Sequence, residues 1–356
     1  MTAAVPAYSA DATIDEGEKE VLSAIEAKPS VRIYAISDSR FFLGLIALVN
    51  SLRLQGHHEP IIVLDCGLAD YQREILSHET TVIAAPAGYP PHLLKYVAPL
   101  LHPADVMILI DADVIVTRSL EPLIRAAEEG KIVAFTDRLH DRFDPRWSGL
   151  LGLEPLRRQP YINAGFLVLP RSPGLELLTS LQAGQENLDP QQGIWSGGPL
   201  DYPFYFADQD VLNALLASKA QPDNLAIMEH RLAPHTMFEG VELLDEQTLR
   251  CSYADGLEPF GLHHVLRHKP WLAPIRRTIY SDLLPRLWLG SDLALPLEPE
   301  HLPLRFRSGL LAKADKHRYN AMARLQRLRG RLGVSRHLTE LRRHREHNAR
   351  ARATAD

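Results

Sequence analysis

The stretch Val106-Met107-Ile108-Leu109-Ile110-Asp111-Ala112-Asp113-Val114-Ile115-Val116 decides how this chain is read. Five apolar residues in succession, partly β-branched, indicate a strand buried on both faces of a parallel sheet. Side chains alternate along a strand, so Asp111 and Asp113 are expected to point the same way where the apolar run ends. Open α/β sheets bind ligands at the carboxyl ends of their strands. Two neighbouring carboxylates there are costly to hold uncompensated, and a divalent cation compensates them. Hard oxygen ligands suit Mn2+ or Mg2+, which in turn grip phosphates.

Elements of the same kind flank this strand. Strands are expected at Val31–Ile36, Pro60–Leu64, Thr81–Ala84, Lys131–Phe135 and Tyr161–Leu169. Helices are expected at Phe41–Leu54, Ala69–Ser77, His92–Leu101 and Asp208–Ser218, the first with Leu45, Leu48, Val49 and Leu52 on one face. Strands alternating with helices over short connections imply βαβ units and an α/β fold with a mostly parallel central sheet. Gln182–Asp201 is polar and rich in Gly, Pro and Gln, which marks a long loop of the kind that carries function. The expected organisation is a poorly ordered acidic segment at 1–28, a catalytic domain at 29–290 and a basic, partly helical tail at 291–356.

The chain has 356 residues, 46% of them hydrophobic, which is ample for a large core. It has no apolar run long enough to span a bilayer and no basic-then-apolar leader at its start. Two cysteines, Cys66 and Cys251, make no disulfide framework and fit a reducing cytoplasm. The net charge of −5 hides an asymmetry, because His301–Asp356 carries 15 Lys and Arg against 4 Asp and Glu. An acidic body argues against nucleic acid as a partner. Met322, Leu325, Leu328 and Leu332 recur at helical spacing among the arginines. The tail therefore reads either as a flexible basic segment or as an interfacial helix meeting an anionic membrane on its inner face.

Asn163-Ala164-Gly165, Asp208-Gln209-Asp210 and His263 followed by Lys269-Pro270-Trp271 come after the Asp-x-Asp strand in that order. The set resembles glycosyltransferase family 8, the glycogenins and bacterial lipooligosaccharide galactosyltransferases, over roughly residues 31 to 271. The resemblance implies a GT-A fold, a UDP-sugar as donor, retention at the anomeric carbon and dependence on Mn2+. It implies Asp111, Asp113 and His263 as metal ligands, with His264 as the alternative register. It implies Asp38, Lys95, Ala112, Asn163, Ala164, Gly165 and Lys269 around the donor, and Asp208 and Gln209 facing the transferred sugar. Asp137 is a further candidate for the sugar site. In residue terms, Asp38 serves equally as the cap of the Phe41 helix, and Asp208 and Asp210 equally as an acidic first helical turn. Lys95 stands where the family often has arginine, and Leu266 stands near the position of the family's motif glycine.

Other function classes compete. A strand ending in Asp-x-Asp also fits a haloacid-dehalogenase-like phosphatase with Asp111 as nucleophile and Asp113 as acid/base, although that strand is expected to be fourth in the chain and not first. A nucleotidyltransferase lacks the Gly-rich basic loop it needs after the first strand. A non-catalytic UDP-binding protein is the non-enzyme reading. The transferred sugar, the oligomeric state and the acceptor (a glycan, a lipid-linked sugar or a small molecule) stay open.

Overall fold

A computed structural model describes residues 29–331, apart from 88, 187, 274–276 and 308. Its centre is a seven-stranded sheet built from β1 (Val31–Ser37), β2 (Ile61–Asp65), β3 (Thr80–Ala84), β4 (Val106–Ile110), β6 (Ile132–Thr136), β7 (Ile162–Pro170) and β8 (Leu225–Met228). The strand order is β3-β2-β1-β4-β7-β6-β8. All neighbours run parallel except β7, which is antiparallel to both β4 and β6. The mixed α/β architecture and mostly parallel sheet agree with the expected GT-A class. Every residue of β4 and of β7 is buried, as an unbroken apolar run requires.

One correction concerns the Asp-x-Asp tripeptide. The strand ends at Ile110 and the chain turns, with Val114 N–H donating to the Asp111 carbonyl at 3.0 Å. A tight turn, not strand alternation, therefore brings Asp111 and Asp113 together. The chain then forms β5 (Val114–Val116), which leaves the main sheet and pairs antiparallel with β11 (Gly261–His263). An antiparallel hairpin, β9 (Val241–Asp245) with β10 (Arg250–Tyr253), completes the sheet structure among the described residues.

Helix α1 (Phe42–Leu54) is apolar almost all round, and Phe42 through Leu52 are buried. A helix of that composition belongs inside the molecule. The two polar residues of its buried stretch are used as ties. Ser51 Oγ accepts from Val116 N–H at 3.0 Å. Asn50 Nδ2 donates to the carbonyls of Leu287 and Leu295, and Asn50 Oδ1 accepts from Leu295 N–H, all at 2.8–2.9 Å. Leu287 belongs to α8 (Ile279–Leu289). Leu295, Leu297 and Leu302 are buried in the same core. The packed body thus continues past residue 290, the boundary expected from sequence. Here alternating leucines between prolines carry the burial, without helical periodicity.

The remaining helices cover the sheet or edge the site: α2 (Asp70–Ser77), α3 (Val97–Leu101), α4 (Glu121–Glu128), α5 (Arg146–Leu151), α6 (Arg171–Gln185), α7 (Asp208–Lys219) and α9 (Leu310–Arg331). Residues 91–93 form only a 3-10 turn ahead of α3, where one continuous helix is expected from sequence. Gln182–Gln185 ends α6, so the polar loop runs from 186 to 207. No described helix is long and apolar enough to cross a membrane.

Replacing Asn50 by Leu keeps the volume and strands two buried carbonyls and one N–H. We expect a loss of about 2–4 kcal/mol in denaturant unfolding with native secondary structure retained. A change under about 0.5 kcal/mol would mean the tie carries no load.

Candidate metal and nucleotide-sugar site

The site forms at the carboxyl end of β4. Register places Ile110 opposite Phe166, and Asp111 N–H donates to the Gly165 carbonyl at 2.8 Å. Pairing of β11 with β5 sets His263 opposite Val114, one residue past Asp113. Asp111, Asp113 and His263 therefore converge, each offering a ligand atom within 4.8 Å of the others. His263 Nε2 lies 3.2 Å from Asp113 Oδ1 and 3.7 Å from Asp111 Oδ2. His264 faces away. Its ring is fully buried beside Tyr280, and neither ring nitrogen has a hydrogen-bond partner.

Two glycines make this convergence possible. A Cβ on Gly165 would lie 2.2 Å from His263 Cε1 and 2.6 Å from Asp111 Oδ2. A Cβ on Gly44, in α1, would lie 2.5 Å from the Ala112 carbonyl oxygen and 2.6 Å from the Trp271 ring. Trp271 is buried there and donates from Nε1 to the Arg40 carbonyl at 2.7 Å. The Lys-Pro-Trp segment is thereby wedged against α1 beneath the aspartate turn.

The donor set fits a divalent cation. Two carboxylates and an imidazole are compatible with Mn2+. Asp113 Oδ1 is buried and accepts no hydrogen bond, so a lone pair is left directed into the cluster. Burial opposes the charge on Asp113, but Lys269 and His263 overcome it and hold the carboxyl well below its usual range. Lys269 Nζ donates to Asp113 Oδ2 at 2.5 Å and to the His264 carbonyl at 2.6 Å, and its side chain is 3% exposed. The lysine expected to face a diphosphate is thus engaged on the far side of the Asp113 carboxylate.

Lys95 bridges the cluster to the next layer. Its ammonium lies 3.1 Å from Asp111 Oδ1 and 3.2 Å from Asp208 Oδ2, and donates to the Ala164 carbonyl at 3.1 Å. Burial disfavours its charge, yet Asp111 and Asp208 push its pKa above the usual lysine range. Gln209 Oε1 accepts from Ala164 N–H and from Asn163 Nδ2, each at 3.1 Å. A backbone N–H donates only, so the amide orientation of Gln209 is settled by that bond. Asn163 Nδ2 also donates to Asp137 Oδ2 at 3.0 Å, and Asn163 Oδ1 accepts from Gly165 N–H at 2.9 Å. Lys95, Asn163, Ala164, Gly165, Asp208 and Gln209 therefore share one polar layer with the Asp111–Asp113–His263 group.

Two residues have structural partners. Asp38 Oδ1 accepts from Arg40 N–H at 2.9 Å and Phe41 N–H at 3.1 Å, a turn ahead of α1. Asp210 is fully buried, held by both arms of Arg142 at 2.7 and 2.8 Å and by the Tyr161 hydroxyl at 2.6 Å. Sequence reading missed His235, which a bridge pairs with His263 and which lies 3.6 Å from Asp137. Burial first, then the neighbouring His263, lowers its pKa to about 4. A single histidine in an irregular segment carries no local signal of that placement.

No protein-family model and no curated protein matches this chain. Its shape is similar to that of several solved glycosyltransferases. One is the galactosyltransferase LgtC in complex with donor and acceptor sugar analogues, at 16% identity and TM-score 0.47, covering 73% of this chain and 98% of that one. Another is the bifunctional glycosyltransferase WbbM, at 14% identity and TM-score 0.47, covering 74% of this chain and 50% of that one. A third is GlyE of Streptococcus pneumoniae TIGR4, at 15% identity and TM-score 0.45, covering 72% and 60%.

Gly165→Ala forces a methyl group between His263 and Asp111. Calorimetric titration of Mn2+ should show affinity about 10–100-fold weaker, with the fold intact by circular dichroism. Wild-type affinity would mean that these three residues do not share an ion.

Proposed function

We propose that this protein is a retaining glycosyltransferase that moves a hexose from a UDP-sugar to a carbohydrate, lipid-linked or small-molecule acceptor. The observation that carries the reading is the meeting of Asp111, Asp113 and His263 at the carboxyl edge of a parallel sheet. A shallow recess beside it is lined by Ile36, Lys95, Asp111 and Ala164. That is where open α/β sheets receive nucleotides. A Mn2+ or Mg2+ ion held by the three side chains would supply Lewis acidity to the donor diphosphate.

The chain's own groups would do the rest. Lys95 would bring fixed positive charge to the side of the site where UDP departs, while Lys269, tied to Asp113 Oδ2, would keep that carboxylate ionised. The second oxygen of Asp38, just after β1, would accept from the uridine. Asn163 and Asp208 would hold hydroxyls of the transferred sugar. The bond from sugar C1 to the β-phosphate oxygen breaks, and the acceptor oxygen bonds to C1 on the same face. The acceptor proton passes to the leaving phosphate oxygen. Gln209 Oε1 already accepts two hydrogen bonds, which supports front-face attack over a covalent intermediate on that amide. The phosphatase reading needs Asp113 to carry a proton, whereas Lys269 and His263 favour its ionised form.

We further propose that α9 meets an anionic membrane surface. Leu310, Leu311, Met322 and Leu325 are exposed on it beside Lys313, Lys316, Arg318 and Arg324. Leu332, the last residue of the expected apolar stripe, lies outside the described residues. Deletion beyond residue 310 should abolish sedimentation with phosphatidylserine vesicles while leaving UDP binding in place. Unchanged sedimentation would remove the membrane proposal.

Titration of UDP into the protein should give micromolar binding in Mn2+ that is lost in EDTA. Asp113→Asn should cost the metal-dependent UDP-sugar hydrolysis at least about 100-fold. Absence of UDP binding in both buffers would remove the glycosyltransferase reading.

A further inference from the structure

Asp208 and Gln209, the two residues proposed to face the transferred sugar, open α7 immediately after Ala207. Ala207 has φ 49° and ψ −118°, a conformation that an L residue with a Cβ avoids. Such a backbone persists only where its surroundings over-determine it. Alanine offers no oxygen to cap the helix it precedes, and no side-chain cap is made there. Local propensity therefore does not hold this turn, and a tertiary contact must.

That contact is Asp210, three residues on, in the first turn of α7. Its Oδ2 reaches back across Ala207 to accept from Phe206 N–H at 2.7 Å. The carboxylate is fixed in turn from outside the helix. Arg142 Nε donates to Oδ1 at 2.7 Å and Arg142 Nη2 to Oδ2 at 2.8 Å. The Tyr161 hydroxyl donates to Oδ1 at 2.6 Å. Arg142 Nη2 also donates to the Pro203 carbonyl at 3.2 Å, on the other side of the strained residue. Asp210 is fully buried, and a charge so placed needs a strong partner. One rigid guanidinium fork meets two carboxylate oxygens and a carbonyl, a geometry that a lysine ammonium does not reproduce.

Arg142 lies in the connection between β6 and α5. Asp137, at the start of the same connection, accepts from Gln209 Nε2 at 3.3 Å. One connection thus grips the first turn of α7 at two points, the Gln209 amide and the Asp210 carboxylate. Asn213 adds a third from the next turn. It accepts from Ile162 N–H at 2.8 Å and donates to the Ile162 and Gln209 carbonyls at 2.9 and 2.8 Å. The guanidinium carbon of Arg142 stands 4.9 Å from the Phe206 ring centroid and 5.8 Å from that of Trp147. Its contacts are thus with the segment leading into α7, and its influence on the reaction centre passes through that helix.

We propose that Arg142 is a positioning residue for glycosyl transfer. Through Asp210 it imposes the turn at 206–207 that directs Asp208 to Lys95 and Gln209 to Ala164. The assignment rests on the glycosyl-transfer reading of the adjoining centre. The proposed metal and diphosphate contacts come from Asp111, Asp113 and His263, outside this network. Loss of Arg142 should therefore slow the sugar-dependent step and spare nucleotide binding.

The test uses the full chain in Mn2+, with UDP-glucose and UDP-galactose as donors and hydrolysis to UDP as the readout. In Arg142→Met, kcat should fall about 10–100-fold while the calorimetric Kd for UDP changes by less than about 2-fold. Arg142→Lys keeps the charge, loses the fork and should fall between the two; it replaces Arg142→Met if far-UV dichroism shows that variant unfolded. Adding Ala207→Gly to the arginine variant should raise its kcat at least about 3-fold, because glycine adopts positive φ without the cost that the arginine network offsets. An arginine that only stabilises the fold gives no such recovery. Unaltered kcat in the folded arginine variant, a parallel loss of UDP affinity, or no recovery with Ala207→Gly overturns the assignment. Donor hydrolysis and metal-dependent UDP binding by the unaltered protein are measured first. Their absence removes the glycosyl-transfer reading, and the positioning role with it, so the two failures are distinguishable.

Discussion

The structure depends on how two aspartates can stand side by side at the end of a buried strand. Asp113 is almost entirely enclosed, and an ionised carboxylate in that position is unfavourable without compensation. The compensation comes from far along the chain: Lys269 is 156 residues away in sequence and His263 is 150 residues away. Neither is held by local structure alone. The β5–β11 pair sets the histidine, and the Trp271 wedge against Gly44 sets the lysine. The strands that carry the aspartate turn and the segment holding His263 and Lys269 are thus folded together by the electrostatic demand of one turn.

Lys95 plays the corresponding part for Asp111. Its ammonium stands between the aspartate turn and Asp208, so the two proposed halves of the site, diphosphate and sugar, share one fixed cation. Ala164 is the pivot of this arrangement. Its carbonyl accepts from Lys95 and its N–H donates to Gln209. With its backbone committed in both directions, β7 acts as a ruler that spaces the aspartate turn from the helix carrying Asp208 and Gln209. The antiparallel direction of β7 is what presents Asn163, Ala164 and Gly165 at the same edge of the sheet where β4 ends.

Much of this was legible in the residues. The apolar runs of β1, β2, β4, β6 and β7 announce a buried sheet, and α1 reads as a helix from its spacing. The order of the short motifs was enough to gather Asp111, Asp113, Asn163, Asp208, Gln209, His263 and Lys269 into one candidate site. What sequence hid is what depends on tertiary pairing. An isolated strand carries no mark of its direction, so the reversal at β7 was silent. Three-residue strands such as β5 and β11 are too short to show periodicity, yet their pairing chooses His263 over His264. The side-by-side aspartates were expected for the wrong geometric reason, because alternation and a tight turn give the same pair of neighbours. Gly44 looks like a flaw in a helix until the Ala112 carbonyl is seen against it.

The account's central claim is that Asp111, Asp113 and His263 hold one metal ion that also touches the diphosphate of UDP. Pulsed electron paramagnetic resonance on the protein loaded with Mn2+ and UDP tests it directly. A phosphorus coupling from UDP together with an imidazole nitrogen coupling that vanishes in His263→Ala is the predicted result. A bound Mn2+ that shows neither coupling would contradict the account.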